Sequence, residues 1–190
     1  MDETKVVFLD IDGVLNGYDA RADFLWYILD KLKIEKPLCQ IYDVFGVRTY
    51  KVFLLKLILL MTGAKIVISS SWRGAWLIPY EDASERGQAL QRKLKRFHCE
   101  VIGITPTCYD NDNRRETEIR KWLEDHKEEY DVRRFVVLDD DEFDLQGFKG
   151  KELVKTSIGT PKHGIFKRCG LTMKHVIRAV KILNRKEDLL

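Results

Sequence analysis

Two aspartates, two residues apart, come directly after an apolar run near the start of the sequence. Residues 6–16 read VVFLDIDGVLN, so Asp10 and Asp12 stand where the run of β-branched and apolar residues ends. Side chains two residues apart on an extended chain point to the same side, and like charges that close are costly unless a cation or a shared proton offsets them. The pair therefore predicts a Mg2+ ion and one carboxylate left to attack. A plain strand-to-turn junction is the alternative, because Asp and Gly favour turns.

A run of hydroxyl side chains follows a second apolar run, KIVI. It consists of Ser69, Ser70 and Ser71, and Arg73 stands two residues further on. Small hydroxyls and backbone N–H groups at the end of a strand can cradle a phosphate, and an arginine can add a charge-assisted contact to the same oxyanion. We therefore predict that these four residues bind a phosphate. A serine-rich turn is the alternative.

A dense acidic cluster follows a third apolar run, RFVVL. Residues 139–144 read DDDEFD. Consecutive carboxylates repel one another, and a bound divalent cation makes their ordering far easier. Oxygen ligands with retained waters are typical of Mg2+. The cluster therefore predicts a Mg2+ site, and a solvated acidic turn is the alternative.

Two arginines open a helical stretch between the serines and the acidic cluster. Arg114 and Arg115 would lie in its first turn, where a cation opposes the helix dipole. Neutralising a nucleophile and a bound phosphate would give a reason for a cation there. For either arginine alone, a solvent-facing side chain is the alternative.

The elements that position these clusters alternate between short apolar strands and amphipathic helices. This alternation is typical of a parallel sheet covered on both faces, and it predicts a three-layer, Rossmann-like α/β fold with about five strands. Gly63 is the expected C-cap of one helix, and Ser84 and Thr172 are the expected N-caps of two others. The predicted strands are 6–9, 65–69, 100–104, 134–138 and 152–155, and the predicted helices are 21–32, 51–61, 84–97, 116–126 and 173–184.

Composition limits the class of protein. With 190 residues, we expect a single domain over 1–190, and residues 17–50, which break the alternation, are expected to form a small cap or flap within it. Aromatic residues in that insertion could stack on a substrate or pack on the domain; they are Phe24, Trp26 and Tyr27. The net charge of +3 permits an anionic substrate without implying nucleic acid.

The cysteines and the apolar runs bear on the location of the protein. The four cysteines form no CxxC pair, and the N-terminus has no apolar signal core, so we expect a reduced, cytoplasmic protein. Val52–Met61, the longest apolar run, contains a lysine and is too short to span a bilayer, so no membrane partner is expected.

The ordered clusters resemble the motifs of the haloacid dehalogenase (HAD) superfamily of phosphohydrolases, over nearly the whole chain. DIDGV at 10–14 resembles the first motif, DxDx[VT]. Ser70 in SSSWR resembles the second-motif residue, with Ser69 as the alternative assignment. Arg115 stands where the third motif has a lysine or arginine, although lysine is commoner. Asp140 and Asp144 fit the fourth motif, with Asp139 as the alternative.

A narrower resemblance points to one subfamily. DGVLN, SSSWR, the RxxEIxxWL-like helix, LDDDxxD and the late CGLT are similar to the HAD domain of Swiss Army Knife RNA repair proteins. The resemblance implies Asp10 as nucleophile, Asp12 as acid and base, and Ser70 and Arg115 as phosphate ligands, with Ser69, Ser71, Arg73 and Arg114 near the substrate. It implies Mg2+ on Asp10, the Asp12 carbonyl and Asp140, with Asp139 and Asp144 as further acidic groups.

The substrate stays open at this stage. A lightly covered site favours a large phosphorylated substrate, such as a nucleic-acid 3′-phosphate end. A small phosphorylated metabolite is one alternative, and a non-catalytic binding module is another. Basic residues near the expected mouth could follow a phosphate backbone, although each could equally be ordinary surface charge; they are Arg21, Arg48, Lys51, Arg73, Arg86, Lys162 and Arg168. The oligomeric state is not predicted.

Overall fold

The core of the protein is one sheet of five parallel strands. A computed structural model describes residues 3–16, 47–108, 114–158 and 169–185. The strand order is β3-β2-β1-β4-β5, which confirms the predicted α/β class. The strands are β1 (Glu3–Leu9), β2 (Lys65–Ile68), β3 (Val101–Ile104), β4 (Asp131–Asp139) and β5 (Leu153–Lys155).

Four helices lie among the described residues: α1 (Thr49–Thr62), α2 (Glu85–Arg96), α3 (Arg114–Asp125) and α4 (Met173–Leu183). The predicted caps are confirmed at their ends. Gly63 ends α1 with a left-handed φ of 70°, and its N–H donates to Leu59. The Ser84 hydroxyl accepts from the Gly87 N–H at the start of α2, and Thr172 is the N-cap of α4.

Alternation along β1 assigns its side chains to two separate cores. Val7 and Leu9 pack with α1, α2 and α4 on one face of the sheet. Val6 and Phe8 pack on the other face with α3 and with the 3-10 helix Phe143–Phe148. Because β1 is buried on both faces, its apolar run is continuous rather than alternating.

The predicted starts of β1 and β4 were each three residues too late, since β1 begins at Glu3 and not at Val6. β4 begins at Asp131, three residues before the predicted start at Arg134, and its first residues pair with the start of β1 at Glu3. The side chains there are charged because they lie at the margin of the sheet, where Arg134 forms an ion pair with Glu3 at 2.9 Å. A prediction based on apolar residues therefore misses the charged first residues of such a strand.

The topology fixes where a ligand would bind. The chain runs outward from β1 to β2 and β3, and then returns to the other side of β1 to form β4 and β5. The strand order therefore reverses between β1 and β4, and open parallel sheets bind ligands beyond the carboxyl ends of the strands at such a point.

Some predictions lie outside the described residues. They concern the helix at 21–32 with its aromatic residues, most of the 17–50 insertion, and the basic residues Arg21, Lys162 and Arg168. The single-domain assignment stays a prediction. Among the described residues, no helix is both long and apolar enough to cross a membrane.

Candidate active site

Three carboxylates converge at the reversal point. Asp10 follows β1 directly, Asp139 ends β4, and Asp140 comes next. One oxygen from each lies within 4.8 Å of the others. Asp10 and Asp139 are almost fully buried. The Asp10 N–H donates to the Leu138 carbonyl and so continues the hydrogen bonds between β1 and β4. Parallel pairing of β1 with β4 thus brings the first and last acidic motifs together across about 130 residues of chain.

Arg115 joins two of these carboxylates. Its Nη1 lies 3.1 Å from Asp10 Oδ1 and 3.0 Å from Asp139 Oδ2, and it donates to the Ser69 carbonyl at 2.6 Å. Burial lowers the pKa of Arg115, but the charges of Asp139 and Asp10 outweigh this effect and raise the pKa above its ordinary value. The two carboxylates explain why a cation occupies the unfavourable first turn of α3.

The two serines after β2 face different surroundings. The Ser70 hydroxyl is fully buried, and its oxygen accepts from the Trp72 N–H at 3.4 Å; its effect on the neighbouring Asp10 is to lower the pKa of that carboxyl. The Ser69 hydroxyl is buried too, and within the described part of the chain it has no hydrogen-bond partner. Of the two second-motif assignments, Ser70 is the one that acts on the proposed nucleophile.

The acidic cluster holds more negative charge than Arg115 offsets. Burial raises the pKa of Asp10, against the opposing effects of Arg115 and Ser70. Burial raises the pKa of Asp139 to about 7, although Arg115 opposes it, and the Asp10 charge adds to the increase. Burial and the Asp10 charge also raise the pKa of Asp140. A further cation would stabilise the charged forms of these three carboxylates.

The loop after β1 is shaped around Asp140. Gly13 has a φ of +71°, and a Cβ built there would lie 2.3 Å from Asp140 Cγ, so only glycine fits. The Thr156 hydroxyl, which follows β5, donates to the Gly13 carbonyl at 2.7 Å and fixes the loop from the other side. The half-exposed Asp140 carboxylate is thereby held beside the two buried aspartates. Three convergent carboxylate oxygens are a donor set that Mg2+ prefers.

Asp12 faces a different set of partners. Its Oδ2 accepts from Trp72 Nε1 at 2.9 Å. Its Oδ1 accepts from Asn16 Nδ2 at 2.6 Å and from Arg86 Nη2 at 3.2 Å. Asn16 also accepts from the Gly13 N–H at 2.9 Å, which closes the loop that carries the pair of aspartates. With its side chain 40% exposed, Asp12 is the more open carboxylate of the two.

Arg73 does not point at the carboxylate cluster. Its guanidinium forms a fork with Glu118 on α3, at 2.7 Å to Oε2 and 2.9 Å to Oε1, and Nη1 also donates to Thr105 at 3.1 Å. Glu118 is buried, and it accepts the Cys108 N–H as well. This pair connects the loop after β2 to α3. A contact between Arg73 and an oxyanion would require the fork to open.

The predicted site residues therefore divide into two groups. The structure brings together Asp10, Asp12, Asp139, Asp140, Ser69, Ser70 and Arg115 at one edge of the sheet. Arg114 and Ser71 are exposed, and Asp144 lies on the 3-10 helix Phe143–Phe148 outside the three-carboxylate cluster. Their roles stay predictions.

Sequence reasoning assigned no role to Asn16, Trp72, Glu118 or Thr156. Asn16 and Trp72 stand inside the motifs DGVLN and SSSWR, so the motifs contain a signal for them. Glu118 is the glutamate of the RxxEIxxWL-like helix, so that motif contains a signal for it too, although no local pattern shows that its partner is 45 residues away.

Comparison with known families gives one match. The family model for the HAD domain in Swiss Army Knife RNA repair proteins matches residues 6–165. This range includes all of the acidic, serine and arginine clusters described above. No significant match was found among curated proteins or among solved structures.

Proposed function

Since the chain belongs to the family of HAD domains found in Swiss Army Knife RNA repair proteins, we propose that it is a Mg2+-dependent phosphomonoester hydrolase that acts on nucleic-acid 3′-phosphate ends. The observation that carries the proposal is the surroundings of Asp10. This buried carboxylate lies 3.1 Å from the Arg115 guanidinium, and the neighbouring Ser70 hydroxyl favours its charged form by lowering its pKa. Covalent phosphoryl transfer needs a carboxylate nucleophile beside groups that hold the phosphoryl oxygens.

In the first step, an Asp10 oxygen attacks the phosphorus in line with the leaving oxygen. A bond forms between Asp10 and phosphorus, the bond to the leaving oxygen breaks, and Asp12 gives that oxygen a proton. Ser70 and Arg115 hold the phosphoryl oxygens, over which the transition-state charge is spread. The product on the protein is an aspartyl-phosphate.

In the second step, water displaces phosphate from Asp10. Asp12, now a carboxylate, takes a proton from the attacking water, and the bond between Asp10 and phosphorus breaks to release inorganic phosphate. The partial exposure of Asp12 supports this role, because the group must meet both a leaving group and water. Asp10, which is buried, is suited to the covalent role.

The acidic cluster supports the metal requirement. Asp10 and Asp140 would hold Mg2+ together with the Asp12 carbonyl, with Asp139 and Asp144 as further acidic groups. When bound, Mg2+ would offset the charge of the nucleophile and of the phosphate. The fit rests on three carboxylate oxygens within 4.8 Å and on the upward pKa shifts of all three groups.

Phosphate release from a 3′-phosphorylated oligonucleotide tests the proposal. We expect turnover by the wild type with Mg2+, and none with EDTA or in Asp10→Asn. Asp125→Asn is the matched control, because Asp125 is an exposed carboxylate at the far end of α3 and should leave turnover unchanged. Circular dichroism and a thermal melt should show that both variants are folded.

The outcomes separate the alternatives. Full activity of Asp10→Asn would exclude the nucleophile, and activity that persists in EDTA would exclude the metal role. Faster turnover of mononucleotides or sugar phosphates than of the oligonucleotide would identify a metabolite phosphatase. Binding of the oligonucleotide without turnover would identify a non-catalytic module.

A further inference from the structure

An arginine outside the predicted motifs reaches Asp12 from α2. Arg86 Nη2 lies 3.2 Å from Asp12 Oδ1, and the guanidinium carbon lies 3.4 Å from the centroid of the Trp72 ring. Trp72 itself donates to the other oxygen of Asp12. Asp12, Trp72 and Arg86 therefore form one contiguous group, supplied by the β1 loop, the 3-10 helix Ser71–Trp76 and the first turn of α2.

Close packing at the start of α2 holds Arg86 in this position. A Cβ added to Gly87 would lie 2.5 Å from the Ala75 Cβ, so the first turn of α2 rests directly on the 3-10 helix. The Trp72 ring is buried beneath the guanidinium, whereas the Arg86 side chain is 49% exposed. Arg86 thus has a fixed base and donors that are open to a ligand.

A cavity adjoins this group. Its volume is about 310 Å3, and Trp72 and Arg86 form part of its lining together with Ser71, Ile78, Ser84 and Gly87. The cavity is lined by the segment after β2 and the start of α2, and Asp10, Asp139 and Arg115 are not among its lining residues. It is large enough for a group bigger than a phosphate, and Arg86 is the charged residue in its lining.

We infer that Arg86 binds the phosphodiester next to the scissile 3′-phosphate, and that the cavity beside Trp72 holds the leaving nucleotide. The inference rests on the proposed function. If Asp12 gives its proton to the leaving oxygen, that oxygen lies within about 3 Å of Asp12. The leaving group must then lie against the groups that surround Asp12. Arg86 is a cation at this place, and a guanidinium forms strong, charge-assisted hydrogen bonds with a phosphodiester.

Two substrates that differ by one nucleotide unit, and therefore by one phosphodiester, test the role of Arg86. They are a 3′-phosphorylated dinucleotide and the matching nucleoside 3′-monophosphate. For Arg86→Gln, we expect kcat/KM on the dinucleotide to fall about tenfold, mainly through KM, because one charge-assisted contact is lost. The value for the monophosphate should fall less, because it reports only the loss of the contact between Arg86 and Asp12, which both substrates share. Arg86→Lys should recover part of the loss, because it keeps the charge.

The salt dependence of kcat/KM separates a phosphate contact from a structural role of Arg86, because loss of a structural role would not change it. One lost phosphate contact on a single strand should reduce the slope of log(kcat/KM) against log[salt] by about 0.7 for the dinucleotide. Arg120→Gln is the matched control. Arg120 is also a half-exposed arginine (59%) that pairs with a carboxylate, Glu116, and lies over an aromatic ring, Phe148. It should leave both the rate and the slope unchanged.

Equal losses on the two substrates, or no loss on either, would overturn the inference. A failure of the proposed function looks different, because the wild type would then release phosphate from neither substrate. In that case the equilibrium affinity for the phosphorylated dinucleotide, compared between Asp10→Asn and Asp10→Asn/Arg86→Gln, still decides the question. We expect the second protein to bind about tenfold more weakly, and equal affinities would overturn the role of Arg86.

Discussion

The ion pair between Arg73 and Glu118 allows a test of whether Arg73 binds phosphate or stabilises the fold. The sequence predicts that Arg73 is a phosphate ligand, whereas the structure pairs both of its terminal nitrogens with Glu118. The side chain of Glu118 is 2% exposed and that of Arg73 is 14% exposed, so the pair is largely removed from water. Replacement of Arg73 by methionine would leave the buried Glu118 carboxylate with the Cys108 N–H but without its direct ion-pair partner, and Arg115 would act on it only at longer range.

The size of the effect follows from this burial. Removing one partner of a buried ion pair costs about 3–5 kcal/mol, and the small exposure of Arg73 places the expected cost near the lower end, about 3 kcal/mol. A chain of this length loses about 2–4 °C of Tm per kcal/mol, so Arg73→Met should melt roughly 6–12 °C below the wild type. Glu118→Leu should lose a similar amount, because it leaves the arginine unpaired.

The double variant is the decisive protein. Arg73→Met/Glu118→Leu contains no uncompensated charge, so we expect its stability to return to within about 1 kcal/mol of the wild type. Urea and thermal unfolding of the four proteins give the coupling energy directly. Lys127→Met is the control, since its exposed pair with Glu124 should matter little.

Two results would refute this reasoning. If the double variant loses as much stability as the two single variants combined, the residues are not coupled. If Arg73→Met is as stable as the wild type but releases no phosphate, Arg73 acts on the substrate, as the sequence predicts.

Two further predictions concern the Gly13 loop and the start of α4. Gly13→Ala should raise the Mg2+ concentration that gives half-maximal phosphate release, because the added Cβ would displace Asp140. Gly63→Ala is the control, since Gly63 has a similar φ of +70° but no atom within 4 Å of an added Cβ. It should lower stability without changing that Mg2+ concentration. Equal Mg2+ responses in the two variants would contradict this. Burial lowers the pKa of His175 below 6.5, and its Nδ1 accepts the Thr172 N–H. As the pH decreases, His175 is protonated in the unfolded state before it is protonated in the folded state. Its contribution to the free energy of unfolding is therefore fully present above about pH 6.5 and is lost below it. Asp139, with its pKa of about 7, titrates in both proteins, so the measurement is the difference between them: from about pH 8 to about pH 5 the urea midpoint should fall less in His175→Gln than in the wild type, and equal changes would contradict the assignment.

Local patterns were sufficient to predict the sheet and the position of the carboxylate cluster. The continuous apolar runs ending at Leu9, Ile68 and Leu138 mark strands buried on both faces, and the carboxyl ends of parallel strands meet at one edge. Motifs that follow such strands must therefore lie near one another, whatever their separation in sequence. Asp10, Ser70 and Asp139 meet for this reason.

The pairing of side chains across elements could not be predicted in the same way. Arg73 and Arg115 both lie near serines or carboxylates in the sequence pattern, yet one pairs with Glu118 and the other with Asp10 and Asp139. Which partner an arginine finds depends on the register of α3 against the sheet. A single sequence contains no local signal for that register, and the same holds for Arg86, which lies over Trp72 because Gly87 permits close packing.

The sheet order also explains why Asp10 and Asp12, two residues apart, can take different parts in one reaction. β1 lies between β2 and β4, so the chain leaving β1 has different neighbours on its two sides. Asp10 meets Asp139 at the end of β4, and Arg115 joins the two carboxylates, which suits the buried nucleophile and metal ligand that we propose. From the β2 side, Asp12 meets Trp72 and Arg86 at a half-exposed position beside a cavity. In the proposed reaction, attack and departure occur on opposite sides of the phosphorus, and the different surroundings of Asp10 and Asp12 support the separate roles proposed for them.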